Sequence, residues 1–285
     1  MLLAIPNVSE GRDRDAIDAI GAAFNGRLLG IHSDPDHHRS VFTLAGQRGD
    51  LAHTVLGGAR EAVRRIDVVN RHEGIHPRVG AIDVAPIVYL DPDDRGAACA
   101  EALVLGDLLG SELELPAFLY GELAQGRTRA ELRRGGPARL AERIEAGELR
   151  PDFGPRRLHP TAGAVLVSAR PPLVAFNVEL APPATVEDAR TIAARIREGG
   201  LEGLDGVRAI GLWLDARGVA QVSTNVEDHR AVPLATVVAA IARHATPLGA
   251  ELVGLAPAAA FAGFPADLPV ANMRTVESVL TEQGA

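Results

Sequence analysis

The spacing of apolar and polar positions changes repeatedly along the chain, and each change marks a predicted element. Residues 2–8 form a short apolar run that reads as a strand, and residues 15–24 repeat apolar side chains at helical spacing. Residues 28–31 and 41–44 read as two further strands, separated by the polar turn SDPDHHRS with Asp34-Pro35 as its punctuation. Residues 51–69 form a second amphipathic helix, with Leu51, Val55, Leu56, Ala59, Val63 and Ile66 on one side. The apolar, β-branched stretch 81–90 is a strand, so the order is β-α-β-β-α-β, the ferredoxin-like split arrangement.

Helical spacing resumes at 95–109, a strand follows at 117–120, and an Arg- and Glu-rich helix is expected over 128–146. The stretch PDFGPRRLHPTAGA, residues 151–164, carries too much proline and glycine for a regular element, and 165–168 is a short strand closing the first half. The second half repeats the pattern. It has a strand at 173–178, a helix at 186–197, a hairpin of 207–214 and 219–226 around the 215–218 turn, a helix at 234–244 and a strand at 251–255. An alanine-rich tail completes it. IPNV and AFNV occupy corresponding places, each setting an asparagine (Asn7, Asn177) late in its strand. The expectation is an α+β fold of two duplicated ferredoxin-like subdomains, residues 1–170 and 171–285, with a ligand cleft or tunnel between them.

Composition narrows the chemistry. The chain has 285 residues, 47% of them hydrophobic, and a formal charge of −8, which disfavours a general grip on nucleic acid. All 29 basic residues are arginine, so neither a lysine Schiff base to pyridoxal phosphate nor a Walker-type lysine is available. One cysteine, Cys99, on a helical pattern, excludes an internal disulfide and a cysteine zinc site, and reads as a structural thiol. The first residues lack the basic start of a signal peptide and no apolar run approaches a membrane span, so a soluble cytoplasmic protein is expected.

Chemistry concentrates in residues 70–83, NRHEGIHPRVGAID, a glycine- and proline-punctuated segment holding Arg71, His72, Glu73, His76, Arg78 and Asp83. A solvated connector is the bland alternative. His72 and His76 are four apart and His37 and His38 adjacent, but Gly74 and Pro77 interrupt any helix, and no metal is assigned. Acid–base work fits His76 better, because imidazole exchanges a proton near neutrality and Pro77 restrains the chain beside it. His159 lies in the 151–164 loop with Arg156 and Arg157, and Arg39 enters a strand; these arginines are candidates to hold carboxylates. His32, His53, His229 and His244 have no supporting cluster and read as structural.

With RHEGIHPRVGAIDV in view, the chain resembles the formiminotransferase domain of formiminotransferase-cyclodeaminase and its stand-alone microbial relatives. Asn7-Val-Ser-Glu-Gly11 is similar to the family's N-terminal NFSEG motif, and Arg39-Ser-Val-Phe-Thr43 to its NRTVYT segment. Leu119-Tyr-Gly-Glu122, Pro151-Asp-Phe-Gly-Pro155, Ala175-Phe-Asn177 and Ala220-Gln-Val-Ser-Thr-Asn225 match in kind and order, so the resemblance covers nearly the whole chain. A cyclodeaminase domain is not expected in these 285 residues.

The resemblance implies formimino transfer between N-formimino-L-glutamate and tetrahydrofolate as co-substrate, a step of histidine breakdown and one-carbon metabolism, usually by a homodimer. His76 falls on the family's catalytic histidine. Gly154, Pro155, Arg156, Arg157, Leu158, His159, Pro160, Thr161, Ala162 and Gly163 fall on its folate-binding loop, and Arg39 and Arg78 join Arg156 and Arg157 as partners for glutamyl and folate carboxylates. The chain departs from the family pattern at Ile75 (glutamate there), Glu73 (histidine) and near Ala162 (tryptophan). Two other readings therefore stay open: a related folate-dependent formyltransferase with another acceptor amine, and a non-catalytic folate-binding protein.

Overall fold

A computed structural model describes residues 1–71 and 77–284. Its chain divides into two compact units, Met1–Pro171 and Pro172–Ala285. Both are α+β.

In the first unit a strand broken at Ile5-Pro6, β1 (Leu2–Ala4) and β2 (Asn7–Val8), lies between β4 (Arg39–Gly46) and β5 (Ile82–Tyr89), antiparallel to both. β3 (Arg27–Asp34) pairs with β4 as an edge hairpin. Helices α1 (Arg14–Ala23) and α2 (Leu51–Arg65) connect the strands, and their apolar faces fill the core. Asp13 caps α1 by accepting a bond from Ala16 N, which satisfies a donor the first turn leaves unpaired. Phe24 and Phe42, both fully buried, pack with ring centroids 5.1 Å apart; each such side chain contributes roughly 1.5–3 kcal/mol. The long helix α3 (Arg95–Glu112) leads to β6 (Ala117–Leu119), and β7 (Val165–Arg170) inserts between β5 and β6, parallel to each.

Two sequence expectations change here. The helix read over 128–146 is two helices, α4 (Arg129–Arg133) and α5 (Gly136–Glu145), because Gly135 and Gly136 take φ of +79° and +68° and break the ladder. The helix read to residue 69 ends at Arg65: Ile66 is extended, and Val68 N and Val69 N both donate to Thr161 O at 2.9 and 3.2 Å. The 151–164 loop has taken those two donors.

The second unit orders its main strands β11 (Pro247–Val253), β8 (Val174–Leu180), β10 (Val219–Val226), β9 (Val207–Leu214), all antiparallel, with helices α6 (Val186–Ile196) and α7 (Leu234–Ala242) on one face. That is the interleaved order two βαβ units produce, and the first unit repeats it in β5, β1/β2, β4 and β3. Thr185 and Asp188 form a capping box that starts α6. The tail is more regular than its alanine content predicts. β12 (Val270–Ala271) adds parallel to β11, and α8 (Val276–Glu282), capped by Thr275, buries Val276 and Val279. With seven residues, this helix is shorter than the window over which a helical periodicity is read.

Candidate functional site

Three of the sequence motifs converge inside the first unit. Asn7 Oδ1 accepts from Arg39 Nε at 2.9 Å and Nη2 at 2.5 Å, while its amide donates to Ile5 O at 2.8 Å. Ser9 Oγ donates to Gly80 O at 2.7 Å and Ser9 N to Ala81 O at 2.8 Å, so β2 is stitched to the segment following Pro77. Gly11 N donates to His38 Nδ1 at 3.1 Å, with Glu10 Oε1 3.3 Å from the same nitrogen. A Cβ on Gly11 would lie 2.3 Å from Asp34 O, so only glycine allows that approach. The NVSEG stretch is thus the scaffold on which Arg39, the 34–38 turn and the 77–81 segment meet.

At the centre is Asp83, 2% exposed. Its Oδ1 accepts from Val79 N at 2.8 Å; its Oδ2 takes Arg133 Nη2 and lies 3.9 Å from Arg39 Nη1. Arg78 donates from both Nη atoms to the carbonyls of His38 (3.0 Å) and His37 (2.9 Å), tying two loops together. Burial, then the nearby Arg133, Arg129 and Arg78 cations, outweigh Asp83 and lower Arg39 to about 9. Burial likewise lowers Arg78 to about 10. Asp34, although burial pushes its pKa up, is brought down to about 2 by hydrogen bonds from His37 and the backbone of the turn.

The 154–163 loop closes against the same segment. Gly80 and Gly163 form an isolated antiparallel bridge, Ala81 N donates to Ala162 O at 2.8 Å, and Ala164 N donates to Val79 O at 2.9 Å. His159 folds inward: its Nδ1 accepts from Ala162 N at 3.0 Å and Thr161 N at 3.3 Å, which places the proton of the neutral ring on Nε2. Burial and the Arg157 charge hold its pKa below the usual histidine range. Ala162 and Gly163 are buried, Gly154, Arg156, Arg157 and Pro160 are exposed, and Pro155, Leu158, His159 and Thr161 lie between. Arg157 pairs at the surface with Glu114 at 3.1 Å. Upstream, Phe153 bridges to Ala117 and lies where a Cβ on Gly106 would stand 2.7 Å from its ring.

The structure therefore brings Arg39, Arg78, Asp83 and the loop end 159–163 together. Arg156 and Arg157 lie on the exposed part of the loop. His72, Glu73, Ile75 and His76 lie outside the described residues. Sequence reasoning passed over Arg129 and Arg133, on the short helix α4, although their four-residue spacing places both on one side of it. Arg129 sits over the Tyr120 ring, 5.7 Å from its centroid. Only contact with a residue 50 positions away, Asp83, reveals Arg133 as part of the site. Among the described residues no group of three or more His, Cys, Asp or Glu side chains converges as metal ligands, and no helix is long and apolar enough to cross a membrane.

The fold and site define the class: a duplicated α+β chain whose first half gathers arginines around a buried aspartate. The comparisons name the family. Residues 1–170 match the model described as the formiminotransferase domain, N-terminal subdomain, and residues 175–266 that of the formiminotransferase domain. The chain belongs to the formiminotransferase family. It is 39% identical over 273 residues to the formimidoyltransferase-cyclodeaminase of Sus scrofa, covering 89% of this chain but spanning only 49% of that protein. Against the glutamate formimidoyltransferase of Streptococcus pyogenes it is 36% identical over 269 residues, 90% of this chain and 89% of the relative. The enzyme of the same name from Thermoplasma acidophilum is 34% identical over 269 residues, 89% and 87% respectively.

Proposed function

We propose that this chain is a glutamate formiminotransferase, moving the formimino group between N-formimino-L-glutamate and tetrahydrofolate, and acting in the cytoplasm as a homodimer. The reading rests first on two relatives of that name aligned over most of both chains. One structural observation carries it further: the Gly80–Gly163 bridge joins the segment after His76-Pro77 to the loop that the family resemblance assigns to folate. An acid–base residue and a folate loop must lie close to serve one reaction.

Tetrahydrofolate supplies a nucleophilic N5 amine that adds to the amidine carbon of the donor. His76 removes the proton from the attacking nitrogen and returns it to the departing glutamate nitrogen, as one imidazole can near neutrality. Arg39, half-enclosed and held by Asn7, presents a cation to substrate carboxylates. Arg78 supports it by fixing the 34–38 turn. The exposed Arg156 and Arg157 suit the carboxylates of the folate tail. Residues 154–163 form the folate loop, ordered from within by His159.

Mixing the protein with tetrahydrofolate and formiminoglutamate, and following 5-formiminotetrahydrofolate, tests the reaction. His76→Ala is expected to lower kcat by roughly 10²–10⁴-fold while the fold persists. Unchanged turnover at saturating substrates removes His76 from the mechanism; folate binding without product returns the chain to a binding role.

A further inference from the structure

Two motifs that the reaction leaves without a role meet at the entrance of the 154–163 loop. Strand β6 pairs with β7 along one side only, and on its outer edge the backbone of Ala117 and Leu119 needs other partners. Residues of the stretch Pro151-Asp-Phe-Gly-Pro155 supply them. Ala117 O accepts from Asp152 N at 2.9 Å and Phe153 N at 3.2 Å, and Ala117 N donates to Phe153 O at 3.0 Å. Leu119, which opens the stretch Leu119-Tyr-Gly-Glu122, donates its N–H to Asp152 Oδ2 at 2.8 Å. Arg127 closes the ring: its Nε donates to Leu119 O at 2.9 Å and its Nη2 to that same Asp152 oxygen. The two side chains are 25% and 31% exposed, and an ion pair so open to water adds little stability by itself. What this pair does is geometric, because it seizes both backbone groups of Leu119 and fixes where the loop leaves the sheet. The far end of the loop is held by the Gly80–Gly163 bridge. In between, among the described residues, the backbone N–H groups of Gly154, Arg156, Arg157 and Leu158 donate no hydrogen bond. That stretch has the packing of Leu158 and the exposed Arg157–Glu114 pair, so its course depends on the two ends.

We propose that Asp152 and Arg127 are positioning residues for tetrahydrofolate: their clamp on Leu119 holds the loop, Arg156 and Arg157 included, in the course that receives the co-substrate. This rests on the transferase reading, and adds to it two side chains that act through the loop and not on the reacting atoms. A preorganised loop spares the ligand the cost of ordering it, so the clamp acts on affinity and not on the chemical step.

Steady-state kinetics and calorimetric titration with tetrahydrofolate, both on the full chain, test this. Asp152→Ala and Arg127→Gln are each expected to raise KM and Kd for tetrahydrofolate about tenfold, with kcat and KM for formiminoglutamate changed by less than about twofold. The double variant should be no worse than either single one, because both changes open the same clamp. Asp152→Glu should recover part of the loss. Arg60→Gln, which breaks the exposed Arg60–Glu112 pair between α2 and α3, should leave every constant unchanged. The Ala117–Phe153 bridge and the close approach of Gly154 to Gly110 remain in the variants and keep the chain folded, which thermal melting checks. If Asp152→Ala nevertheless does not fold, Arg127→Gln decides the matter. Unaltered KM and Kd for tetrahydrofolate in folded variants overturn the proposal, as do a loss confined to kcat and fully additive effects in the double variant. Where the wild type binds folate but transfers nothing, a raised Kd in the variants still upholds the clamp. A wild type that binds no tetrahydrofolate overturns the transferase reading and this one together, whereas unaltered variants beside an active wild type overturn this one alone.

Discussion

Gly80 and Gly163 face each other so closely that neither position has room for a side chain. A Cβ on Gly80 would fall 1.7 Å from Ala164 O, and one on Gly163, where φ is +72°, would fall 2.2 Å from Val79 O. Backbone is in the way on both sides, so no rotamer change relieves the overlap. Two chain segments 83 positions apart are thereby held as one surface.

Gly163→Ala should combine positive-φ strain with that collision. We expect it to cost about 2–4 kcal/mol in urea denaturation and to raise KM for tetrahydrofolate, since the loop must shift away from 79–81. A variant with wild-type stability and KM would show that the two segments are not coupled.

Asp83→Asn keeps shape and removes charge. It leaves Arg39 and Arg133 buried beside a neutral amide, and breaking a buried pair from one side costs about 3–5 kcal/mol. Equilibrium unfolding checks this. Pairing the change with Arg133→Met should recover part of the loss, because the uncompensated cation is then gone as well.

His159 makes loop order depend on pH. Its folded pKa lies below the ordinary value of 6.5, so between the two the unfolded chain binds more protons than the folded one. The contribution to stability is therefore complete above about pH 6.5 and is lost as pH falls through the folded pKa. Protonated Nδ1 can no longer accept from Thr161 N and Ala162 N. Hydrogen-exchange protection of those two amides should fall between pH 7.5 and 5, and His159→Asn should flatten the dependence.

Asp34 acts in the opposite range. With its pKa lowered to about 2, its stabilisation is present above the unfolded value of 3.8 and disappears as pH falls through 2. Asp34→Asn at neutral pH weakens its bonds from Asp36 N, His37 N and His37 Nδ1, at a cost of about 1–2 kcal/mol reduced by the turn's partial solvent access. The observable consequence is a looser His37–His38 turn, whose carbonyls Arg78 binds. Thermal melting and a rise in KM for formiminoglutamate measure it.

Much of the fold was legible because hydrophobic periodicity is a local property. The strands at 207–214 and 219–226 are found as read, since alternation and the Gly218 turn both lie within that stretch of sequence. The helix end at Arg65 was not legible, because what stops it is Thr161 O, nearly a hundred residues away. The break at Gly135-Gly136 was in plain view but outweighed by the Arg- and Glu-rich spacing around it. For the site, Arg39 and Asp83 stood in recognisable motifs, whereas Arg129 and Arg133 resembled any solvated helix face.

By itself the sequence determined the α+β class, the repeated element order and the family, because each is written in the order and spacing of residues along the chain. Tertiary structure alone decided which charges share a site. A guanidinium's role depends on the carboxylate it reaches and the solvent it loses, and Asp83 meets Arg39 and Arg133 through the packing of β5, β4 and α4, which lie far apart along the chain.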